Sequence, residues 1–240
     1  MAEVASITID EARALVSNQA LWPRVRDFLW NFAPQIHESW LDGLCGHETL
    51  DARREDGSSI VSSLSSSWRI KKSILDSLGV APCFHTFPKD DGSRILLLDG
   101  ATLESIAKWL GALAYADALR RVTSGATVRE LKAALPGVYP EVFGYTAYFG
   151  KLKVEKLAVE KVTPQSIMDT GAACLFSFVS HLPQPLLQRL TLKLPRSLST
   201  LQPSTLDLQS ANSRLSTFNF QLVSKLLKLR YKEAHSLCCL

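Results

Sequence analysis

Apolar residues recur at three- and four-residue intervals along most of this chain, the period of helices that bury one stripe. In residues 10–30, Asp10 suits an N-cap, and Pro23 breaks or restarts the helix because proline has no amide hydrogen to give the preceding turn. Ile60, Leu64 and Trp68, then Leu75 and Leu78, continue the helical period, and Gly79 supplies a stop. Seven serines between 58 and 67 weaken the start of that helix, since their hydroxyls compete for backbone hydrogen bonds. The central stripe is the strongest: Leu103, Ile106, Leu110 and Leu113, then Leu119 or Val122, share one face, and the charges Glu104, Lys108, Asp117, Arg120 and Arg121 fall mostly off it. Gly111, Ala112, Ala114, Ala116 and Ala118 are small enough to let a neighbouring helix approach closely. Arg120 and Arg121 close the last turn, where cations complement the helix dipole.

Downstream, Thr127-Val-Arg-Glu130 is a capping-box pattern that starts a further helix, and Pro136-Gly137 ends it. Tyr139–Phe149 is aromatic-rich with Pro140 in its first turn. Thr163-Pro164 repeats that signal for a helix through Ser180, with Ile167, Cys174, Leu175, Phe178 and Val179 on or near one face. The last predicted element, Leu215–Glu233, is a basic amphipathic helix on which Leu215, Phe218, Leu222, Leu226 and Leu229 face one way. Two segments depart from the helical period. Phe84–Phe87 and Arg94–Leu98 flank a glycine-containing turn, which predicts a β-hairpin within Cys83–Asp99. Leu190–Leu194 alternates with period two, which predicts one extra short strand. The segments at 51–59 and 195–210 are rich in polar, Ser or Pro residues, have little to bury, and are predicted to be mobile. The expected fold is therefore mainly α: a single helical domain over residues 1–240, an irregular helical bundle with one small β-hairpin.

Composition narrows the class without choosing a function. Apolar residues make up 46% and charged residues 21% of 240, ordinary for a globular chain large enough to hold a core without disulfides or metal. The five cysteines, Cys45, Cys83, Cys174, Cys238 and Cys239, include no C-x-x-C pair, which suits free thiols in a reducing compartment. Leu237 stands where a prenylation box needs cysteine. The N-terminus lacks the basic-then-apolar pattern of a signal peptide, and the most apolar stretch, Ala172–Val179, is far short of the roughly 20 residues of a membrane span. A soluble, cytoplasmic chain is expected. Its net charge of +4 is uneven: residues 1–185 carry 19 Lys/Arg against 21 Asp/Glu, and residues 186–240 carry 8 against 2. A basic segment of that kind suits nucleic acid, an acidic lipid surface or an acidic protein.

Catalytic and cofactor patterns are missing. His47-Glu48 is followed by Asp51 where a zinc-protease helix needs its second histidine. There is no G-x-S-x-G elbow, phosphate-binding glycine loop or calcium loop; Asp90-Asp91-Gly92 reads better as a hairpin turn. No enzyme activity, metal or cofactor is expected. The tail offers Arg214, Lys225, Lys228, Arg230 and Lys232 near Phe218, Phe220 and Tyr231, but the phenylalanines read better as core than as a stacking platform.

A series of segments, in order, resembles the YscK/SctK family of the type III secretion sorting platform. They are LWPRVRDFLW (Leu21–Trp30), LGAL (Leu110–Leu113), DALRR (Asp117–Arg121), TGAA (Thr170–Ala173), LPQP (Leu182–Pro185), RLTLKLP (Arg189–Pro195) and LVSKLLK (Leu222–Lys228). The resemblance implies a non-catalytic adaptor at the cytoplasmic face of the injectisome. It would link the cytosolic domain of the inner-membrane ring protein SctD to the pod protein SctQ, and through the pod to the stator SctL and the ATPase SctN. Arg120, Arg121, Arg189 and Lys193 carry charge within the resembling segments and are the candidate partner contacts. The alternatives are another helical scaffold or chaperone-like secretion subunit, or a nucleic-acid binder using the basic C-terminal helix.

Overall fold

A computed structural model describes residues 21–41, 68–80, 93–149, 162–201, 223 and 225–231. In chain order its α-helices are α1 (Trp22–Trp30), α2 (Glu38–Leu41), α3 (Trp68–Ser77), α4 (Gly100–Ala114), α5 (Ala116–Leu119), α6 (Gly125–Ala134), α7 (Val142–Phe149), α8 (Pro164–Val179) and α9 (Gln184–Lys193). Short 3-10 turns cover Ala33–Gln35, Ser93–Leu97 and Arg196–Leu201, and residues 225–230 are helical. The architecture is mainly α, and no strand occurs among the described residues.

Local chemistry accounts for most helix ends. Pro23 sits in the first turn of α1, where its missing amide hydrogen costs no helical bond, so a helix starts there. Gly79, two residues past α3, adopts a left-handed φ of 64°, which any side chain would disfavour. Thr163 caps α8 through a reciprocal pair: the Ser166 amide donates to Thr163 Oγ1 (3.1 Å), and the Thr163 amide donates to Ser166 Oγ (3.0 Å). The next helix start differs from expectation. α6 begins at Gly125, two residues before Thr127, and Ser124 is its N-cap, its side chain accepting from the Thr127 amide. Thr127 thus lies inside the helix it was expected to cap.

Contacts divide the chain into two compact units. The first takes the residues up to Gly100 together with Leu182–Ser199. Its core joins Val25 and Phe28 of α1 to Phe32, Ile36 and Leu41, to Ile95–Leu98, and to Leu186, Leu190 and Leu192 of α9. Phe28 and Phe32 meet edge to face, with ring centroids 5.7 Å apart. Polar bonds hold the segment around α2 against the end of α9: the His37 amide donates to Leu192 O (2.8 Å), Trp40 Nε1 to Leu194 O (2.9 Å) and the Arg196 amide to Ser39 Oγ (2.9 Å).

Both predicted β elements are corrected in this unit. Leu190–Leu194 is the last turn of α9 and its exit, not a strand. The alternating pattern misleads because Leu190, Thr191, Leu192 and Lys193 are all buried, so hydropathy does not mark one outer face. Arg94–Leu98, the expected second arm of the hairpin, lies in and just after the 3-10 turn Ser93–Leu97. The carbonyls of Leu96 and Leu98 accept bonds from a lysine instead of a partner strand. The other arm, Phe84–Phe87, lies outside the described residues, as do Ser-rich residues 51–59; of the segment 195–210, Leu198 is buried within a 3-10 turn.

The second unit takes Ala101–His181 and residues 200–235. The expected stripe of α4 is its core: Leu103, Ile106, Leu110 and Leu113 are buried with Trp109, and each fully buried aliphatic side chain contributes roughly 1.5–3 kcal/mol. The small residues have the predicted use. A Cβ placed on Gly111 would run into the carbonyl oxygen of Ile167, and one on Gly171 into that of Ala107, so α4 and α8 touch backbone to backbone. Residues 225–230 bury Leu226 and Leu227, but Leu229, expected on the same apolar face, is 42% exposed.

Candidate partner-binding surfaces

α9 brings two of the four candidate cations inside the first unit. Lys193 is 1% exposed, and its Nζ donates to the carbonyls of Leu96 (2.6 Å) and Leu98 (2.8 Å) while lying 4.9 Å from the centroid of the Phe28 ring. Burial pushes its pKa down to about 7, against a pull upward from Asp99 and a further push downward from Arg24. Arg189, one turn earlier and 2% exposed, places its guanidinium 5.2 Å from the Phe32 ring and 6.0 Å from Phe28. The Lys193 backbone is also closely approached: a Cβ on Gly100 would meet Lys193 O at 2.7 Å. In this structure both side chains organise the interior, and neither presents charge outward.

Arg120 and Arg121 remain at the surface of the second unit, just past α5. Arg120 donates to Thr146 Oγ1 (2.5 Å), lies 5.8 Å from the Phe143 ring and pairs with Asp117 at 3.7 Å. It is therefore tied to α7 with part of its guanidinium in water. Arg121 is exposed with no ion pair among the described residues. It is the candidate whose charge is most available to another molecule.

The basic tail is partly engaged within the same unit. The Arg230 guanidinium sits 4.5 Å from the Trp109 ring and 5.3 Å from Tyr145, pairs with Glu141 at 2.5 Å, and donates to Gly137 O at 3.2 Å. Tyr231 shares a 2.6 Å hydrogen bond with Ser105, and burial raises its pKa despite the opposing effects of Ser105 and Arg230. Lys225 and Lys228 stay exposed. Basicity showed from sequence, but not that one cation and one aromatic ring of the tail are directed at α4 and α7.

Among the described residues no cluster of His, Cys, Asp and Glu is arranged to hold a metal ion, and no helix is long and apolar enough to cross a membrane. Cys174 is a free thiol, its pKa pushed up to about 11 by burial, so it stays protonated at neutral pH.

Residues 34–138 match the family model of YscK, described as YOP proteins translocation protein K. The match agrees with the resemblance read from the sequence. It contains LGAL and DALRR, hence Arg120 and Arg121, whereas Arg189 and Lys193 lie beyond it. No curated protein and no solved structure matches the chain significantly.

Proposed function

With the YscK match over residues 34–138 as premise, we propose that the chain is a non-catalytic adaptor of the type III secretion sorting platform. It links the cytosolic domain of an SctD-like ring protein to an SctQ-like pod protein, and through the pod to the SctL-like stator and SctN-like ATPase. It works at the cytoplasmic, inner-membrane face of the apparatus. The observation that carries the reading is that match. In support, the surviving exposed candidates, Arg120 and Arg121, fall inside it, at the end of a helical run whose core is well filled. Recognition would come from packed helical faces, with a few anchors supplying affinity and surface charge setting orientation and encounter rate.

The test has two arms. Purified full-length chain should bind the SctD-like cytosolic domain or the SctQ-like protein, and Arg121→Glu should weaken one of these without lowering helix content. In cells, deletion should abolish the cytoplasmic pods, imaged through a fluorescent SctQ-like protein, while the membrane rings remain. Binding to neither partner, or pods that assemble normally without the chain, overturns the reading.

A further inference from the structure

α1 carries a surface that the core of the first unit does not use. Its inner face buries Val25 and Phe28, and its outer face presents Pro23, Arg24 and Arg26 to water. Trp30, at the end of that face, is 59% exposed, the most exposed of the large apolar side chains described. It is not loose: Trp22, two helical turns earlier, meets it edge to face with centroids 5.7 Å apart. Arg26 stands between the two in the helical register, four residues from each. Lys71 Nζ donates to Asn31 Oδ1 at 2.8 Å, which pins a second cation beside the residue that follows Trp30.

The charge carried by α1 and α3 is one-sided. α1 carries Arg24 and Arg26 against Asp27, and α3 carries Arg69, Lys71 and Lys72 against Asp76, so the two helices together hold five cations and two anions. The excess is hidden in the sequence, because residues 1–185 as a whole are slightly acidic, with 19 Lys/Arg against 21 Asp/Glu. Asp27 is already held by Arg26, in an exposed pair at 3.1 Å.

We propose that the α1–α3 surface, with Trp30 as its anchor and Arg26 and Lys71 as flanking cations, binds an acidic segment of a protein partner. Tryptophan and arginine are the residue types most enriched at energetically dominant interface positions. A Trp30 ring packed edge to face with Trp22 loses little freedom on binding, and basic surroundings select an acidic complement. A lipid surface fits less well, since interfacial helices insert a broad apolar face and this one is interrupted by arginines. Nucleic acid fits less well too, since single-strand binding uses a series of exposed rings along a cationic groove, and Trp30 is the one large apolar side chain described as exposed on this face. The proposal deepens the adaptor reading and rests on it for the setting in which the partner is met.

The test places the photo-crosslinker p-benzoylphenylalanine at position 30 of the full chain in secreting cells, with exposed Gln184 as control position. The expected result is a protein adduct whose crosslinked peptide is acidic by mass spectrometry. Its yield should fall at least about tenfold in an Arg26→Glu/Lys71→Glu background, the loss expected when flanking charges orient an anchor. Should that reversal lower helix content, Arg26→Gln/Lys71→Gln removes the charges while leaving a donor for Asn31. No adduct, an adduct on lipid or nucleic acid, one insensitive to charge, or the same adduct from position 184 overturns the proposal. An acidic adduct on a protein outside the secretion apparatus would uphold the surface and remove the adaptor reading. Pods lost on deletion with no adduct at position 30 would do the reverse.

Discussion

Replacing Lys193 with methionine separates a buried ammonium from every other source of pH dependence in the first unit. The side chain is almost wholly removed from water, its amine meets two backbone carbonyls, and burial lowers its pKa from 10.5 to about 7. In the unfolded chain the lysine holds its proton up to about pH 10.4, while in the folded chain it loses it near pH 7. Between those values the unfolded state binds more protons, so stability rises with pH across this window, by at most about 1.4 kcal/mol per unit, and is flat below it. Integrated from pH 6.5 to 8.5, the gain is about 2 kcal/mol. The window stops short of the range where the buried Cys174 thiol, held protonated up to about 11, would act in the opposite direction. The variant loses two donors, leaving the Leu96 and Leu98 carbonyls unsatisfied at about 1–3 kcal/mol each, but it also loses the cost of desolvating a cation. Its overall stability is thus a balance, whereas its pH slope is unambiguous. The assay is urea unfolding followed by tryptophan fluorescence in a Trp109→Phe background. That leaves Trp22, Trp30, Trp40 and Trp68, all in the first unit. Wild type should gain about 2 kcal/mol relative to Lys193→Met between pH 6.5 and 8.5. A difference that stays constant across that range refutes the buried, depressed lysine.

Further expectations concern the second unit. Gly111→Ala puts a methyl group into the Ile167 carbonyl and should force α4 from α8, costing about 3 kcal/mol or more; an unchanged melting temperature would contradict the backbone contact. Arg230→Ala removes the Glu141 pair and the stacking on Trp109 and Tyr145, and should destabilise the attachment of residues 225–231 by about 1–2 kcal/mol, read as faster amide exchange there than in α4. Thr163→Ala deletes one half of the reciprocal cap of α8 and should lower stability by about 1 kcal/mol, with Thr163→Ser restoring most of it.

Features set by nearest neighbours were legible in the amino-acid order. Thr163-Pro164 marks the start of α8 because a hydroxyl and a ring act on the backbone beside them. The helix start at Pro23 and the stop at Gly79 rest on the same local sterics. The stripe of α4 and its small residues also read through, since a helix buried on one broad face keeps its period. The match at 34–138 and the segments LGAL and DALRR point to the same family, so the family likeness was legible as pattern.

Burial that depends on distant chain decided the rest. Lys193 and Arg189 look like surface charges in any local reading, and they become interior groups because α1 and the turn at Ser93–Leu97 supply rings and carbonyls around them. The alternation at Leu190–Leu194 carries no strand because an almost fully enclosed helix turn has no polar face to display its period. Trp30 went the other way: its hydrophobicity suggests core, yet α1 turns it outward, since Val25 and Phe28 already fill the inner face. Sequence by itself determined where helices start, stop and show an apolar stripe, because those effects act over a few residues. Which charges are hidden and which aromatic ring faces water was decided only by the tertiary structure, since desolvation is set by whatever the fold brings within a few ångströms.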